Sequence, residues 1–394
     1  MSDDDLLEIL NYWSYWEGPP PPSVPRLLTL PPPDSQLVLA IQGVRRCGKS
    51  TLLAQLMERW EIPPERCMFV NFEDPRLSPH LGPELLSRIS DLFVSKRPEG
   101  PLWYFFDEVQ NVPQWEKWLH MRLERNRGDH FSITGSNASL LSGELSSRLT
   151  GRHRLAELYP FDFQEATHAL PDLTPESFLA LGGFPKILLS QGDLSLRQQY
   201  FLDIVERDIT NRVGARSSFP VRAVIQMVFE TCGSEMSLRR VAGVCGLSVE
   251  TVSGYLLAAE AAYLLFSCPF FGHSSRQQQV RNKKYYPVDT GLRKAVVAGA
   301  APDQGKALEC AAFLALRKRF GRVFYWRHVR EVDFVVIHQG RPLPVQVSWA
   351  SPHDRHYLAL DEFYQAFPAS HEGHFLNRDD LVENFAAGWP LSSG

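Results

Sequence analysis

Residues 43–51 read GVRRCGKST, which matches the phosphate-loop pattern G-x-x-x-x-G-K-[ST] at every fixed position. Before it, the run VLAI at 38–41 has the length and β-branched content of a buried strand; after it, TLLAQLM at 51–57 has helical apolar spacing. A strand, loop and helix in this order bring backbone N–H groups around a triphosphate at a helix N-terminus. A plain glycine-rich turn with an exposed lysine is the alternative, and the flanking elements disfavour it. We therefore predict a nucleotide site here.

The side chains of this loop have distinct predicted roles. Lys49 can reach the β- and γ-phosphates of ATP, and the Ser50 hydroxyl can ligate Mg²⁺. The other predicted nucleotide contacts within the loop are Gly43, Arg46, Gly48 and Thr51. ATP and Mg²⁺ are thus the expected cofactors.

Composition and charge limit the classes of partner. The chain has 394 residues with 41 Lys+Arg against 45 Asp+Glu, a formal net charge of −4, so any nucleic-acid surface must be a local patch. The cysteines are scattered without the spacing of a zinc site, which favours a reducing compartment. No apolar run is long enough to span a membrane, and the acidic N-terminus is unlike a signal peptide. We expect a cytoplasmic protein with no membrane partner.

The N-terminal 35 residues are predicted to form a proline-rich arm. Prolines at 19–22 and 31–33 lack the backbone donor and fix φ, so this stretch cannot run as a helix or a central strand. We expect the aromatic residues at 13–16 to dock on a domain surface. A ligand for a proline-recognising partner is the alternative.

The rest of the chain divides into four predicted regions with an α/β fold class. Residues 36–165 alternate β-rich runs (38–41, 67–72, 102–106 and 132–134) with helical patterns, which predicts a parallel sheet with helices on both faces. Residues 166–230 are mostly helical, and we expect a lid or linker there. A helix-turn-helix region at 231–300 and an α/β region at 301–394 follow.

Two carboxylates end the run LWYFF at 102–106. A buried parallel strand would deliver Asp107 and Glu108 to its C-terminal edge, beside the phosphate loop. Asp107 is the predicted Mg²⁺-orienting group, and Glu108 is predicted to position the attacking water or accept its proton. A strand end with solvated acids is the alternative, which the upstream phosphate loop disfavours.

Polar and basic residues further on complete the predicted site. Ser136 follows the strand at 131–134 and is expected to sense the γ-phosphate through water, with an N-capped turn as the alternative. Three arginines follow a helical stretch, and one of them can act in a neighbouring subunit as an arginine finger. The candidates are Arg152, then Arg148, with Arg154 beside them. Ordinary surface charge is the alternative for each.

These motifs resemble those of a known group of proteins. Together with VNFEDPR at 70–76, FDEVQ at 106–110, TGS at 134–136, LTGR at 149–152 and GGFP at 182–185, they are similar to prokaryotic AAA+-type ATPases that carry a C-terminal restriction-endonuclease-like domain. The resemblance covers almost the whole chain. It implies a AAA+ motor core, a winged helix and a degenerate nuclease-like domain, and it leaves the biological role open.

Residues 237–256 have the apolar spacing of two short helices broken at Gly246, with Ser248 as the N-cap of the second. This pattern is typical of a helix-turn-helix, and we assign 231–300 to a winged helix. The basic residues after it are expected to contact backbone phosphates of DNA. They are Arg281, Lys283 and Lys284. Because the second helix carries Glu250 and few basic groups, a protein-interaction module is the alternative.

The C-terminal region has an incomplete nuclease pattern. Glu309 on a helix and Asp333 before a strand match the acids of a PD-(D/E)xK nuclease, in which E-x-K on the next strand completes the metal site. Here that element is Gln346-Val347-Ser348, so a carboxylate and the lysine ammonium are missing. We therefore expect no cleavage. The adjacent basic residues, expected to bind DNA unless they form a solvated face, are Arg317, Lys318 and Arg319.

Our leading hypothesis is an ATP-hydrolysing AAA+ protein that assembles as a homo-oligomeric ring, with a hexamer as one candidate size. It would bind DNA and remodel it, with branched or forked DNA as candidate substrates. One alternative is an ATP-controlled signalling or defence switch that binds a protein partner. A weaker one is an ATP-controlled nuclease.

Overall fold

The computed structural model describes residues 1–95, 100–125, 127–135, 149, 151–297, 303–383 and 385. It divides into two compact units, Met1–Tyr159 and Pro160–Gly394. The finer division into five regions stays a prediction.

The first unit is built on a five-stranded parallel sheet with the order β2-β3-β4-β1-β5. Its strands are β1 (Val38–Gln42), β2 (Cys67–Asn71), β3 (Trp103–Asp107), β4 (His130–Thr134) and β5 (His153–Glu157). Every residue of β1 is buried, as expected for a strand covered on both faces. The predicted parallel sheet is confirmed.

Helices of the first unit are α1 (Asp3–Ser14), α2 (Lys49–Arg59), α3 (Leu85–Ser95) and α4 (Trp115–Arg125). Short 3₁₀ turns occupy Pro64–Arg66, Ser78–His80 and Val109–Asn111. A continuous apolar core joins α1, α3 and α4 to the sheet through residues such as Leu6, Ile89, Leu119 and Phe106. This core holds the carboxyl ends of β1, β3 and β4 in fixed positions.

The arm is partly helical, because α1 (Asp3–Ser14) includes Trp13 and Ser14, for which the prediction of a non-helical stretch is wrong. The Ser2 hydroxyl accepts a 3.1 Å hydrogen bond from the Asp5 N–H, an N-cap that starts the helix, and the prolines constrain the chain only from residue 19. Docking of the aromatic residues is confirmed. The Trp13 indole N–H donates to Asp74 at 2.8 Å, and that of Trp16 donates to the Cys67 carbonyl at 2.7 Å.

The second unit contains most of the helices. They are α5 (Phe163–Ala169), α6 (Pro175–Leu181), α7 (Pro185–Leu189), α8 (Leu194–Asp203), α9 (Ser218–Glu230), α10 (Leu238–Cys245), α11 (Val249–Ala261), α12 (Ser275–Val280), α13 (Thr290–Val296), α14 (Gln304–Phe320) and α15 (Asp354–Ala366). After α8 the chain continues through a π-helical segment, Ile204–Thr210, and a last turn, Asn211–Val213. The helical character predicted for 166–230 is confirmed.

The two short helices predicted within 237–256 are present as α10 and α11. Gly246 ends α10 in the left-handed region (φ 65°), and the Ser248 hydroxyl accepts the Thr251 N–H at 3.1 Å to cap α11. The helix axes differ by 106°, within the range of helix-turn-helix units. An antiparallel hairpin follows, made of β6 (Leu265–Cys268) and β7 (Lys284–Pro287). The winged-helix assignment itself stays a proposal.

Among the described residues, no single helix has the length and apolar composition to cross a bilayer, and only the bent pair α10–α11 meets these criteria jointly.

A four-stranded sheet with the order β11-β10-β9-β8 completes the second unit. Its strands are β8 (Phe324–Arg327), β9 (Glu331–His338), β10 (Arg341–Val347) and β11 (His374–Leu376), followed by a 3₁₀ turn at Asp379–Glu383. The helix and two strands predicted for 304–350 are confirmed as α14, β9 and β10, and β8 was missed.

Candidate functional site

The phosphate loop requires glycine at two positions. A Cβ added to Gly43 would lie 2.0 Å from the Leu158 carbonyl oxygen, so no other residue fits without moving the backbone. Gly48 has φ +100° and precedes the first residue of α2, where no side chain caps the helix. The N-terminal N–H groups of α2 therefore face the loop without a side-chain acceptor, as in an anion site.

Lys49 and Ser50 lie at this helix N-terminus. Lys49 is buried (8% exposed), and its ammonium donates a 3.2 Å hydrogen bond to the Gly43 carbonyl. The lysine therefore folds back over its own loop, as its predicted role requires. Ser50 and Thr51 are exposed on the first turn of α2.

The carboxyl ends of β3 and β4 meet beside this loop. Thr134 is the last residue of β4, and its hydroxyl donates a 2.5 Å hydrogen bond to Asp107 Oδ1. The Thr134 hydroxyl oxygen also accepts the Glu108 N–H at 3.0 Å. Strand β4 lies between β1 and β3, and Thr134 pairs with Ile41, so it stands between the phosphate loop and the two acids. The sequence prediction that Asp107 and Glu108 lie near this loop agrees with that arrangement.

Asp107 is fully buried, and burial raises its pKa to about 6, while hydrogen bonding by Ser50 and Thr134 opposes the rise. Its second oxygen, Oδ2, is also buried and makes no well-formed hydrogen bond to the described residues. An unsatisfied buried carboxylate oxygen next to a serine hydroxyl fits the oxygen ligands that Mg²⁺ takes in nucleotide sites.

Glu108 is held in an uncommon backbone conformation, with φ 54°. Its carboxylate accepts a 2.6 Å hydrogen bond from the Gln110 amide, and its N–H is held by Thr134. Backbone strain of this kind is found at functional sites where the surrounding groups hold it in place. Here the side chains of Thr134 and Gln110 hold Glu108.

Two residues of this site were missed by the sequence reasoning. Thr134 was noted only as the end of a strand and as the first residue of the TGS motif, and no role was assigned to its hydroxyl. Arg26 lies in the arm, outside any motif. Its guanidinium is buried and donates to the carbonyl oxygens of Cys47 and Tyr159, both at 2.7 Å.

Tyr15, also from the arm, lines one cleft with Ser50 and Thr51. Burial and the negative charge of Asp107 raise the pKa of the Tyr15 hydroxyl.

The candidate arginine fingers do not join this site within the chain. The Arg152 carbonyl accepts the N–H of Val38 at the start of β1. Arg152 therefore lies beside the amino end of β1, whereas the phosphate loop follows the carboxyl end of that strand. Arg154 is on β5 and lies 3.8 Å from the Asp34 carboxylate. Arg148 and Ser136 fall outside the described residues.

The predicted DNA-contacting residues differ in accessibility. Arg281, Lys283, Lys318 and Arg319 are exposed, although Lys318 lies 3.6 Å from Asp162. Arg317 is half-buried, with its guanidinium 4.2 Å from the centroid of the Phe266 ring. Lys284 was predicted wrongly. It is 1% exposed because its side chain turns inward from β7, so it is not available to a phosphate backbone.

The nuclease-like residues come together. Glu309 on α14, Asp333 on β9, and Gln346 and Ser348 at the end of β10 line one cleft. Gln346 is buried, and its amide donates to the Glu331 carbonyl at 3.0 Å. Ser348 stands where the nuclease pattern has its lysine, and an ammonium from elsewhere in the chain is present instead, because Lys284 contacts two carboxylates of this cleft.

Comparisons with known proteins agree with the first unit. Residues 35–167 match a family model described as an AAA domain, and residues 175–303 match a domain of unknown function. The parallel sheet and the phosphate loop agree with this match, so residues 35–167 are similar in fold and motif to an AAA domain of the P-loop class.

Relatives extend over most of the chain. An uncharacterized protein of Haemophilus influenzae is 28% identical over 345 residues, which are 82% of this chain and 85% of that protein. An uncharacterized protein of Methanocaldococcus jannaschii is 27% identical over 340 residues, covering 79% and 74% of the two chains.

Among solved structures, Cdc6p of Pyrobaculum aerophilum is similar at 11% identity and a TM-score of 0.28, covering 58% of this chain and 80% of that one. A TM-score this low establishes no shared role.

Proposed function

We propose that this protein hydrolyses ATP at the phosphate loop and uses the nucleotide cycle to act on DNA as a homo-oligomer. The observation that carries the hydrolytic half is the Thr134 hydroxyl, which binds Asp107 and the Glu108 backbone at once beside the loop. One side chain thereby couples the predicted metal ligand to the predicted water-positioning residue.

The chemistry assigns a task to each group. Asp107 and Ser50 would hold Mg²⁺, which neutralises phosphate charge when bound. Lys49 and the N–H groups at the start of α2 bind the β- and γ-phosphates. Glu108 orients a water whose oxygen attacks the γ-phosphorus. The bond to the β,γ-bridging oxygen breaks, ADP and phosphate leave, and the water proton passes to the Glu108 carboxylate and then to solvent.

The DNA half rests on exposed basic residues of the second unit, chiefly Arg281, Lys283 and Arg319. These can neutralise backbone phosphates without reading bases. If DNA binding is coupled to ATP hydrolysis, adding DNA must change the rate of ATP turnover.

Two substitutions test the hydrolytic half. We expect Lys49→Ala to abolish tight ATP binding, because the buried ammonium is lost, and Glu108→Gln to keep binding but stop turnover. Loss of a charged partner at a buried phosphate site costs about 2–5 kcal/mol, more than tenfold in dissociation constant. Calorimetric ATP titration and phosphate release distinguish them. Equal loss of ATP binding in both variants would show that Glu108 is structural.

The effect of DNA on ATP hydrolysis distinguishes this proposal from the alternative of a switch that binds a protein. Measuring phosphate release with single-stranded, duplex and four-way DNA should show stimulation if the proposal holds. An active ATPase that ignores all three would leave the hydrolytic half standing and favour a protein partner.

A further inference from the structure

The second unit has an acidic cleft of about 640 Å³ between α14 and the strands β9 and β10. Four carboxylates line it, those of Asp303, Glu309, Glu331 and Asp333, together with the cationic side chains of Lys306, Arg330 and Arg355. Asp303, Arg330 and Arg355 are exposed, whereas Glu309, Glu331 and Asp333 are partly buried. Carboxylates placed this closely repel one another, and burial adds to the penalty. A cation of some kind must therefore compensate them.

Lys284 supplies an ammonium from within the protein. Its Nζ lies 2.5 Å from Glu331 Oε1 and 3.9 Å from Glu309 Oε1, and it faces the Tyr325 ring with 5.3 Å to the centroid. The side chain is 1% exposed. This lysine comes from β7, a strand of the hairpin that precedes the nuclease-like region in the chain, so no local motif connects it with the cleft.

These acids also have other protein partners. The Tyr286 hydroxyl donates to Glu309 at 2.6 Å, and the Val347 N–H donates to Asp333 at 2.8 Å. Glu331 Oε2 lies 4.0 Å from the guanidinium of Arg327. Within the described ranges, no group of three or more His, Cys, Asp or Glu side chains is arranged to hold a metal ion.

We propose that Lys284 is the resident cation of this cleft and takes the place that a divalent metal ion would otherwise occupy among Glu309, Glu331 and Asp333. The ammonium satisfies the two glutamates at short range and reduces the repulsion felt by Asp333. A cleft neutralised in this way has no need of Mg²⁺, and the expected lack of nuclease activity still rests on Gln346, which replaces a metal-binding carboxylate. The ion pairs of Lys284 also link β7 to α14 and β9. The proposal does not depend on the ATPase.

Removing the ammonium should convert the cleft into a divalent cation site, because several oxygen ligands of negative charge would remain. The test uses chains of 394 residues that all carry Asp107→Asn, which removes the predicted metal-binding carboxylate of the phosphate-loop site. In this background we expect no Mn²⁺ binding by the parent or by Lys284→Arg. Lys284→Met should bind a single Mn²⁺, measured by the electron paramagnetic resonance of free Mn²⁺. Adding Glu309→Gln to Lys284→Met should abolish that binding.

Two results would overturn the proposal. One is Mn²⁺ binding by the parent that disappears in Asp333→Asn, which would make the cleft a metal site with Lys284 as a neighbour. The other is a folded Lys284→Met chain that binds no Mn²⁺. If Lys284→Met does not fold alone, it is refolded in MnCl₂ and in NaCl of equal ionic strength. Folding only with Mn²⁺ supports the proposal, and folding in neither contradicts it.

Discussion

The guanidinium of Arg26 donates a 2.7 Å hydrogen bond to the carbonyl oxygen of Cys47, inside the phosphate loop. This carbonyl and the Gly48 N–H belong to one planar peptide unit and point in opposite directions. A bond that fixes the carbonyl therefore fixes the direction of an N–H group at the start of α2. The arm thus orients a predicted phosphate donor without touching the phosphate.

We predict that Arg26→Met weakens ATP binding. The substitution leaves the buried Cys47 and Tyr159 carbonyls without their charged donor, which costs about 1–3 kcal/mol. If about 1.4 kcal/mol of this is lost from nucleotide affinity, the dissociation constant rises about tenfold. Calorimetric titration with ATP measures the change.

Arg59→Met is the matched control for Arg26→Met. Arg59 donates a 2.9 Å hydrogen bond to the Leu28 carbonyl, so it ties the same arm to α2 but does not contact the loop. We expect its ATP affinity to be unchanged. Equal weakening in both variants would mean that the arm acts through stability alone.

A second prediction concerns Thr134. Thr134→Val keeps the shape but removes the donor to Asp107 and the acceptor of the Glu108 N–H. We expect turnover to fall about tenfold or more, which corresponds to about 1.4 kcal/mol of transition-state stabilisation, with little change in ATP binding. Steady-state phosphate release and ATP titration on the same samples separate the two effects.

Thr134→Ser keeps the hydroxyl and should retain most of the activity. Wild-type turnover in a folded Thr134→Val chain would show that Glu108 needs no support from β4. Loss of ATP binding and turnover together would assign Thr134 to stability instead.

The sequence predicted the parts of the site that local patterns carry. The phosphate loop is a contiguous motif, and Asp107-Glu108 ends an apolar strand, so both were visible along the chain. Arg26 and Lys284 act through residues far away in sequence, and no local pattern reports such contacts. For Lys284 the error had a physical cause, since Lys283 and Lys284 are identical in type and adjacent in sequence, yet Lys283 is exposed just before β7 whereas Lys284, the first residue of β7, is buried against the acids of the cleft. Helix α1 was missed because the prolines that follow it dominated the interpretation of the arm.

A third prediction is that Arg152 acts in a neighbouring subunit. Its backbone lies beside the start of β1, whereas the phosphate loop follows the end of that five-residue strand, about 17 Å away. An arginine side chain does not span that distance, so Arg152 cannot serve its own loop. ATPase activity per chain should therefore rise with protein concentration.

Mixing inactive variants tests this role directly. Arg152→Ala and Lys49→Ala chains are each expected to be inactive, but a mixed oligomer contains interfaces where an intact loop faces an intact Arg152. Partial recovery of phosphate release supports a trans role. Arg154→Ala, which alters an arginine of the same strand region, is the control. No recovery from chains shown to co-assemble would argue against Arg152.

The last prediction concerns DNA and excludes Lys284, which is buried. Each phosphate neutralised on duplex DNA contributes about −0.9 to the slope of log affinity against log salt concentration. Replacing the exposed Arg281 and Lys283 by alanine should therefore flatten that slope by about one to two units, without a sequence preference. Lys117→Ala on α4, an exposed lysine outside this surface, should leave the slope unchanged. Fluorescence anisotropy across a salt series measures it. An unchanged slope in Arg281→Ala/Lys283→Ala would return these residues to a solvated face and favour the protein-switch function.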